Sequence, residues 1–269
     1  MTRRILPIIL CASLAACSTE RPATERIPEA PLPKVESEPT VRTFGFEVVR
    51  TLPHDIKAFT QGLVVHKGVF LESTGQNGQS SIRIVEISSG KVRKLDKLDD
   101  RYFGEGMTVL NGKAYMITWL NQTGFIYDAA TLKRLDMFSY AGEGWGLTND
   151  GTNLIMSNGS NVLSVIDPQT FAVVRSISVT QDGSFVNQLN ELEWIDGEIW
   201  ANIWQSDRIV RINPANGKVT GVVDLTGILP NSSRDNTTDV LNGIAYDSAA
   251  KAIYVTGKNW PSMFQIRIQ

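Results

Sequence analysis

The chain has 269 residues, 20% of them charged, and a formal net charge of -2. This length suits one globular domain with a sizeable core and short appendages. The net charge is close to zero, and the part expected to fold carries no basic cluster, so composition argues against a nucleic-acid partner. The 22 glycines and six tryptophans are typical of an all-β protein with many turns.

Residues 1–16 have the pattern of a secretory signal peptide. Arg3 and Arg4 precede an apolar run that ends at Ala16, and this run is shorter than the ~20 residues of a membrane-spanning helix. The run ends in Leu-Ala-Ala-Cys17, which resembles a bacterial lipoprotein cleavage box and predicts that Cys17 carries lipid. The alternative is an ordinary signal followed by a chance cysteine. Cys11 would leave with the signal, so no disulfide is expected in the mature chain.

Residues 17–42 are predicted to form an extended tether. Five prolines occur there among Glu, Ser and Thr, a composition that cannot bury a core. We therefore expect a monomeric protein of the cell envelope, lipid-anchored and facing the periplasm, with its folded domain at residues 43–269. Ser18 after Cys17 favours the outer membrane, but only by analogy.

A short motif that precedes an apolar run recurs five times in the folded region. The copies are Phe59-Thr-Gln61-Gly62-Leu63, Phe103-Gly-Glu105-Gly106-Met107, Gly144-Trp145-Gly146-Leu147, Leu189-Asn190-Glu191-Leu192 and Leu241-Asn242-Gly243-Ile244. Aligning Gly62, Gly106, Gly146, Glu191 and Gly243 gives steps of 44, 40, 45 and 52 residues. A period of this size, made of short β-type runs, predicts the blades of a β-propeller.

Each motif is followed by further runs rich in Val, Ile and aromatic residues, and four of the five repeats contain four such runs. The last repeat ends after its third run, whereas Thr43–Thr51 is an unpaired run ahead of the first motif. We therefore predict a five-bladed β-propeller of four-stranded antiparallel blades, its ring closed by the N-terminal strand pairing with the last blade. The polar segment Pro230–Asp239 accounts for the long final step.

The first strand of each propeller blade lines the central channel. The repeats therefore predict a shared pocket formed by Gln61, Glu105, Trp145, Asn190 with Glu191, and Asn242. The ends of the second strands are expected at the same rim and add Glu72, Trp119, Asn158, Asn202, Trp204 and Lys258. This geometry alone does not specify a reaction.

Several segments, in their order and spacing, closely resemble the glutaminyl-peptide cyclotransferases of plant and bacterial type. They are FTQGL at 59–63, ESTG at 72–75, FGEGM at 103–107, ITW at 117–119, GEGWGL at 142–147, LNELE at 189–193, ANIW at 201–204, LNGIA at 241–245 and TGKNWP at 256–261. The resemblance spans residues 44–268. It implies a five-bladed propeller that converts an N-terminal glutamine into pyroglutamate and releases ammonia.

The resemblance also implies a set of site residues, namely Phe59, Gln61, Phe103, Glu105, Trp119, Trp145, Asn190, Trp204 and Lys258. Glu105 corresponds to the catalytic acid/base of the family, and its aromatic neighbours are expected to raise its pKa by desolvation. Asn190 and Lys258 are candidate donors to the oxyanion. The other six are expected to bind the substrate, with the tryptophans as walls. Asn158, where the family often has Asp, and Leu120-Asn121-Gln122 depart from the pattern and affect only rim contacts.

No cofactor or metal is expected. The chain contains only His54 and His66, and a lone histidine is more often structural than a ligand. Architectural roles remain open for the glycines and aromatic residues of the motifs. Glu105, Glu143 and Glu191 can equally be satisfied by backbone N–H groups, and Asn242 can order its own turn.

Two other functions fit the residues taken without the resemblance. One is a non-catalytic propeller that binds proteins or peptides at the envelope. The other is a glycoside hydrolase with a carboxylate pair such as Glu105 and Glu143, which requires the two groups ~5–9.5 Å apart. A Gln-initiated peptide and an ammonia assay would separate these functions.

Overall fold

The computed structural model describes residues 41–269, and within them the fold is all β. One 3-10 turn, Asn231–Ser233, is the only helical element of this part of the chain. No helix in the same range is long and apolar enough to cross a membrane. The signal peptide, Cys17 and nearly all of the tether lie outside the described residues, so those predictions stay predictions.

Five blades follow one another along the chain, and within each blade consecutive strands pair antiparallel, so the prediction of five blades is confirmed. Blade 1 contains β3 (Thr60–His66), β4 (Val69–Thr74), β5 (Ser81–Glu86) and β6 (Val92–Lys97). Blade 2 contains β7 (Gly104–Leu110), β8 (Lys113–Thr118), β9 (Thr123–Asp128) and β10 (Arg134–Ser139). Blade 3 contains β11 (Leu147–Asn149), β12 (Leu154–Met156), β13 (Val162–Ile166) and β14 (Val173–Ser178).

Blade 4 contains β17 (Leu189–Ile195), β18 (Glu198–Ile203), β19 (Arg208–Ile212) and β20 (Val219–Asp224). Blade 5 contains β21 (Leu241–Asp247), β22 (Ala252–Gly257) and β23 (Ser262–Ile268). A small hairpin of β15 (Thr180–Gln181) and β16 (Ser184–Phe185) lies between blades 3 and 4 in the chain. The hairpin was not predicted.

The ring is closed by the N-terminal segment, as predicted, but the segment divides into two strands at Gly45. β2 (Phe46–Pro53) pairs antiparallel with β23 and completes blade 5. β1 (Arg42–Phe44) pairs parallel with β20 and adds a fifth strand to blade 4. The two strands therefore join neighbouring blades and cover the outer edge of each, which would otherwise be free to pair with another chain.

The core consists of apolar layers between neighbouring blades. Five buried clusters occur among residues 41–269, one for each pair of adjacent blades, including the pair formed by blades 5 and 1. The last of these packs Leu52 of β2 and Met263 of β23 with Leu63 and Phe70 of blade 1. Closure of the ring thus buries an apolar layer of the same kind as the other blade contacts.

The innermost strands approach one another closely at the positions that align in the repeat. A Cβ on Gly106 would lie 2.4 Å from the backbone nitrogen of Leu147, and one on Gly146 would lie 2.0 Å from the carbonyl oxygen of Asn190. Such distances leave no room for a side chain, so the aligned glycines permit the contact between blades. The fourth aligned position is Glu191, whose carboxylate accepts hydrogen bonds from Leu63 N (3.2 Å) and Ile244 N (2.8 Å).

Candidate active site

A cavity of about 380 Å³ opens at one end of the innermost strands. Its size falls within the ~300–1,000 Å³ typical of small-molecule sites. Twelve residues line it: Phe59, Gln61, Phe103, Glu105, Trp119, Trp145, Asn190, Trp204, Gln205, Asp239, Val240 and Lys258. All nine residues that the family resemblance implies are therefore brought together in one cavity.

β-bulges at the start of four innermost strands place the polar residues of the motifs. The pairing register shifts between Thr60 and Gly62, between Gly104 and Met107, between Leu189 and Leu192, and between Leu241 and Ile244. Each shift contains the motif residue, namely Gln61, Glu105, Asn190 or Asn242. A bulge bends the strand and redirects a side chain, which explains how Gln61, Glu105 and Asn190 come to line the cavity. Asn242 is buried beside Gln61 and does not line it.

Glu105 is 5% exposed, and Gln61 donates from Nε2 to its Oε1 at 2.9 Å. Gln61 is in turn held by Asn242, whose Nδ2 donates to Gln61 Oε1 (3.1 Å) and to Thr60 O (3.0 Å). Within residues 41–269 Gln61 is the one hydrogen-bond partner of the Glu105 carboxyl, which leaves the other oxygen for a ligand. Asn242 therefore holds the Gln61 side chain and the start of blade 1. The predictions that it lines the pocket and that it orders its own turn were both wrong.

Burial raises the pKa of Glu105 well above its usual range. The Lys258 amine opposes this shift, whereas the Glu143 carboxylate adds to it. Lys258 is itself 5% exposed, and burial lowers its pKa, against the effect of Glu105 and Asp239. Its Nζ lies 4.9 Å from the ring centre of Phe59. Burial thus brings the pKa values of the Glu105 carboxyl and the Lys258 amine closer together than they are in water.

Aromatic rings form the walls of the cavity in two edge-to-face groups. Phe103 stands between Phe59 and Trp119, with ring centres 6.0 and 5.8 Å apart, respectively. On the other wall the rings of Trp145 and Trp204 are 5.5 Å apart. Such geometry is favourable between aromatic rings and fixes the walls of the cavity.

Glu143 connects the two walls, a role that the sequence did not reveal. Its Oε2 accepts a hydrogen bond from Trp119 Nε1 (2.8 Å) and from Trp145 Nε1 (2.9 Å). One carboxylate therefore holds one indole from each group. An acidic residue two positions before the Trp145 of the motif is the only sequence signal that could have suggested this.

Other predictions about the rim were wrong because the second strands do not all end at the cavity. Glu72 is buried against His54 (2.9 Å) and Thr60 (2.7 Å). Asn202 is buried and accepts from Gly243 N at 3.0 Å. Asn158 is exposed and bonds within its own turn. Glu191 binds backbone N–H groups, as the alternative architectural role predicted.

Gln205, Asp239 and Val240 line the cavity and were not predicted. Asp239 is the last residue of the polar segment Pro230–Asp239 that lengthens the last repeat, and Val240 follows it. Their backbone pairs with Lys258, through Asp239 N to Lys258 O (3.0 Å) and Lys258 N to Val240 O (2.9 Å). Among residues 41–269, no three His, Cys, Asp or Glu side chains are grouped so that they could hold a metal ion.

Comparison with known proteins agrees with the geometry. Residues 9–268 match the family model described as glutamine cyclotransferase. A glutaminyl-peptide cyclotransferase of Arabidopsis thaliana is 44% identical over 229 residues, which cover 83% of this chain and 71% of that protein. The crystal structure of Myxococcus xanthus glutaminyl cyclase superposes with a TM-score of 0.80 at 35% identity and covers 85% of this chain and 98% of that one. The chain belongs to the glutamine cyclotransferase family.

Proposed function

We propose that this protein is a glutaminyl-peptide cyclotransferase that converts the N-terminal glutamine of peptides and proteins into pyroglutamate and releases ammonia. One observation carries the proposal: in a chain of this family, a buried carboxyl group with a raised pKa lies in a cavity walled by aromatic rings. The cavity is open to solvent on one side, as a peptide substrate requires.

Glu105 acts as both general base and general acid. The α-amine of the substrate attacks its own side-chain amide carbon, a C–N bond forms, and the carbonyl electron pair moves onto oxygen. Glu105 accepts the proton that the amine loses and then donates one to the departing nitrogen, which leaves as ammonia while the carbonyl reforms. A carboxyl with a raised pKa suits both steps, because general acid–base catalysis is most efficient when the pKa lies near the working pH.

Neighbouring side chains are assigned supporting roles. Asn190 and Lys258, which line the cavity, are assigned as donors to the developing oxyanion. Loss of one such donor commonly costs ~2.7–4 kcal/mol of barrier. Gln61 holds Glu105 Oε1 and directs the other oxygen to the substrate. The aromatic walls keep the glutamine side chain folded for intramolecular attack, which is a proximity effect.

The test is to incubate the purified protein with a Gln-initiated peptide and to follow ammonia release and the loss of ammonia from the peptide by mass spectrometry. Conversion above the spontaneous rate supports the proposal, whereas peptide binding without conversion supports a non-catalytic binding protein. A Glu-initiated peptide of the same sequence serves as the control.

We further propose, from the sequence, that Cys17 carries lipid and that residues 17–42 hold a monomeric domain away from an envelope membrane. The motif before Cys17 and the proline-rich composition support this. Expression in bacteria with a labelled fatty acid should label the wild-type protein and not Cys17→Ser. An unlabelled wild-type protein would refute the anchor, and light scattering of the detergent-free domain would test the monomer.

A further inference from the structure

The cavity continues into two surface grooves that the reaction itself does not use. One groove, of about 350 Å³, has Asp207, Arg234 and Asp239 as its charged lining residues. The other, of about 560 Å³, has Lys57, Asp235 and Asp239. Asp239 lines both grooves and the cavity, so all three meet at this residue.

Asp239 presents a fixed and accessible carboxylate at this junction. The residue is exposed, while its backbone is held by Lys258 and by Trp260, whose Nε1 donates to Asp239 O at 2.8 Å. Its Oδ1 accepts from Val240 N at 2.7 Å. Asp239 makes no ion pair with any described residue, and its charge acts on the buried Lys258 amine only through space. Its exposed carboxylate can therefore also face a ligand.

The proposed reaction changes only the first residue of the substrate. The residues that follow it must extend out of the cavity through its open side. Among the described residues, Asp239 is the one that lines the cavity and both grooves. The second residue of the substrate therefore passes this carboxylate, whichever groove the chain then follows.

We propose that Asp239 and the adjoining grooves form the binding site for the substrate residues that follow the N-terminal glutamine, and that Asp239 favours a basic second residue over an acidic one. This inference rests on the proposed function. An exposed ion pair is weak, so we expect a selectivity of about 2- to 5-fold, and screening by salt should reduce it.

The experiment compares kcat/KM for three C-terminally amidated peptides, Gln-Lys-Ala, Gln-Ala-Ala and Gln-Glu-Ala, at low ionic strength and at high salt. The readout is the ratio of the Lys peptide to the Glu peptide, because any effect of Asp239 on Lys258 alters all three rates alike and cancels. Asp239→Asn keeps an acceptor for Val240 N, and Asp239→Lys inverts the charge. Asp136→Asn, an exposed change on β10, is the matched control.

The wild-type ratio should be about 2- to 5-fold at low salt and should fall at high salt. Asp239→Asn should bring it close to one, Asp239→Lys should place it below one, and Asp136→Asn should keep the wild-type value. A wild-type ratio near one, or an Asp239→Asn ratio equal to that of the wild type, overturns the inference and leaves the proposed function intact. Failure of the wild type to convert any of the three peptides overturns both.

Discussion

Glu143 is expected to be a positioning residue for the reaction, and two substitutions separate its two effects. It accepts hydrogen bonds from Trp119 and Trp145 on opposite walls of the cavity, and its charge adds to the raised pKa of Glu105. Glu143→Gln keeps an oxygen acceptor but removes the charge, whereas Glu143→Ala removes both.

The magnitude follows from the number and exposure of the hydrogen bonds. A hydrogen bond to a charged group contributes ~1.5–3 kcal/mol when buried, but Glu143 is only partly buried and Trp119 is 38% exposed. A combined loss of about 1–2 kcal/mol is therefore expected for Glu143→Ala, which corresponds to a 5- to 30-fold fall in kcat/KM. Glu143→Gln should lose less.

The assay is kcat/KM for a Gln-initiated peptide from pH 5 to 9. Because Glu143 raises the pKa of Glu105, removing its charge should move the limb governed by Glu105 to lower pH in both variants. Glu193→Gln serves as a control, since Glu193 is buried at the other end of β17 and burial raises its pKa to about 8 without contact with the cavity. Wild-type rates and an unshifted profile in Glu143→Ala would refute this reasoning.

Three further outcomes are expected. Gly106→Ala should lower Tm by roughly 3–10 °C, because its Cβ meets backbone of the next blade, whereas Gly45→Ala, with its nearest neighbour at 3.9 Å, should leave Tm unchanged. Glu72→Gln should reduce the free energy of unfolding by about 3–5 kcal/mol, most strongly between the ordinary pKa values of 4.5 and 6.5 for Glu72 and His54. Burial opposes both shifts, but His54 lowers the pKa of Glu72 and Glu72 raises the pKa of His54. The difference in the free energy of unfolding should therefore shrink as pH falls through the folded pKa of Glu72 or rises through that of His54. A difference independent of pH would contradict this. EDTA should leave activity unchanged, and loss that only a metal restores would show that metal is required.

The repeat was sufficient to predict the blades because three of the aligned positions make the same close contact at the axis. A Cβ on Gly62, Gly106 or Gly146 would lie 2.5, 2.4 or 2.0 Å from backbone of the next blade. The run Val69–Thr74 also matches β4 residue for residue. The division of the N-terminal run at Gly45 was not predictable in this way. It depends on β1 pairing with β20, a strand about 180 residues away, and no local pattern encodes that parallel register.

The motif predicted the site residues that lie on the innermost strands. It did not predict residues whose positions depend on loops or on buried side-chain contacts. The register shifts around Gln61, Glu105 and Asn190 turn these side chains to the channel end, in agreement with their motif positions. Glu72 lies two residues before the end of the second strand β4, and Lys258 directly follows β22. The buried Arg83 and His54 nevertheless hold Glu72 within the blade. Asp239 reaches the cavity through a loop whose path the repeat does not specify.

The most direct test of the account is the rate of ammonia release by Glu105→Gln, measured on the full chain with a Gln-initiated peptide and accompanied by a binding measurement from tryptophan fluorescence. General acid–base groups contribute ~10²–10⁴-fold. The account predicts a fall of at least about 100-fold in kcat with peptide affinity largely retained. A variant that binds the peptide and turns it over within a few-fold of the wild-type rate would contradict the assignment of Glu105 as the group that moves the proton.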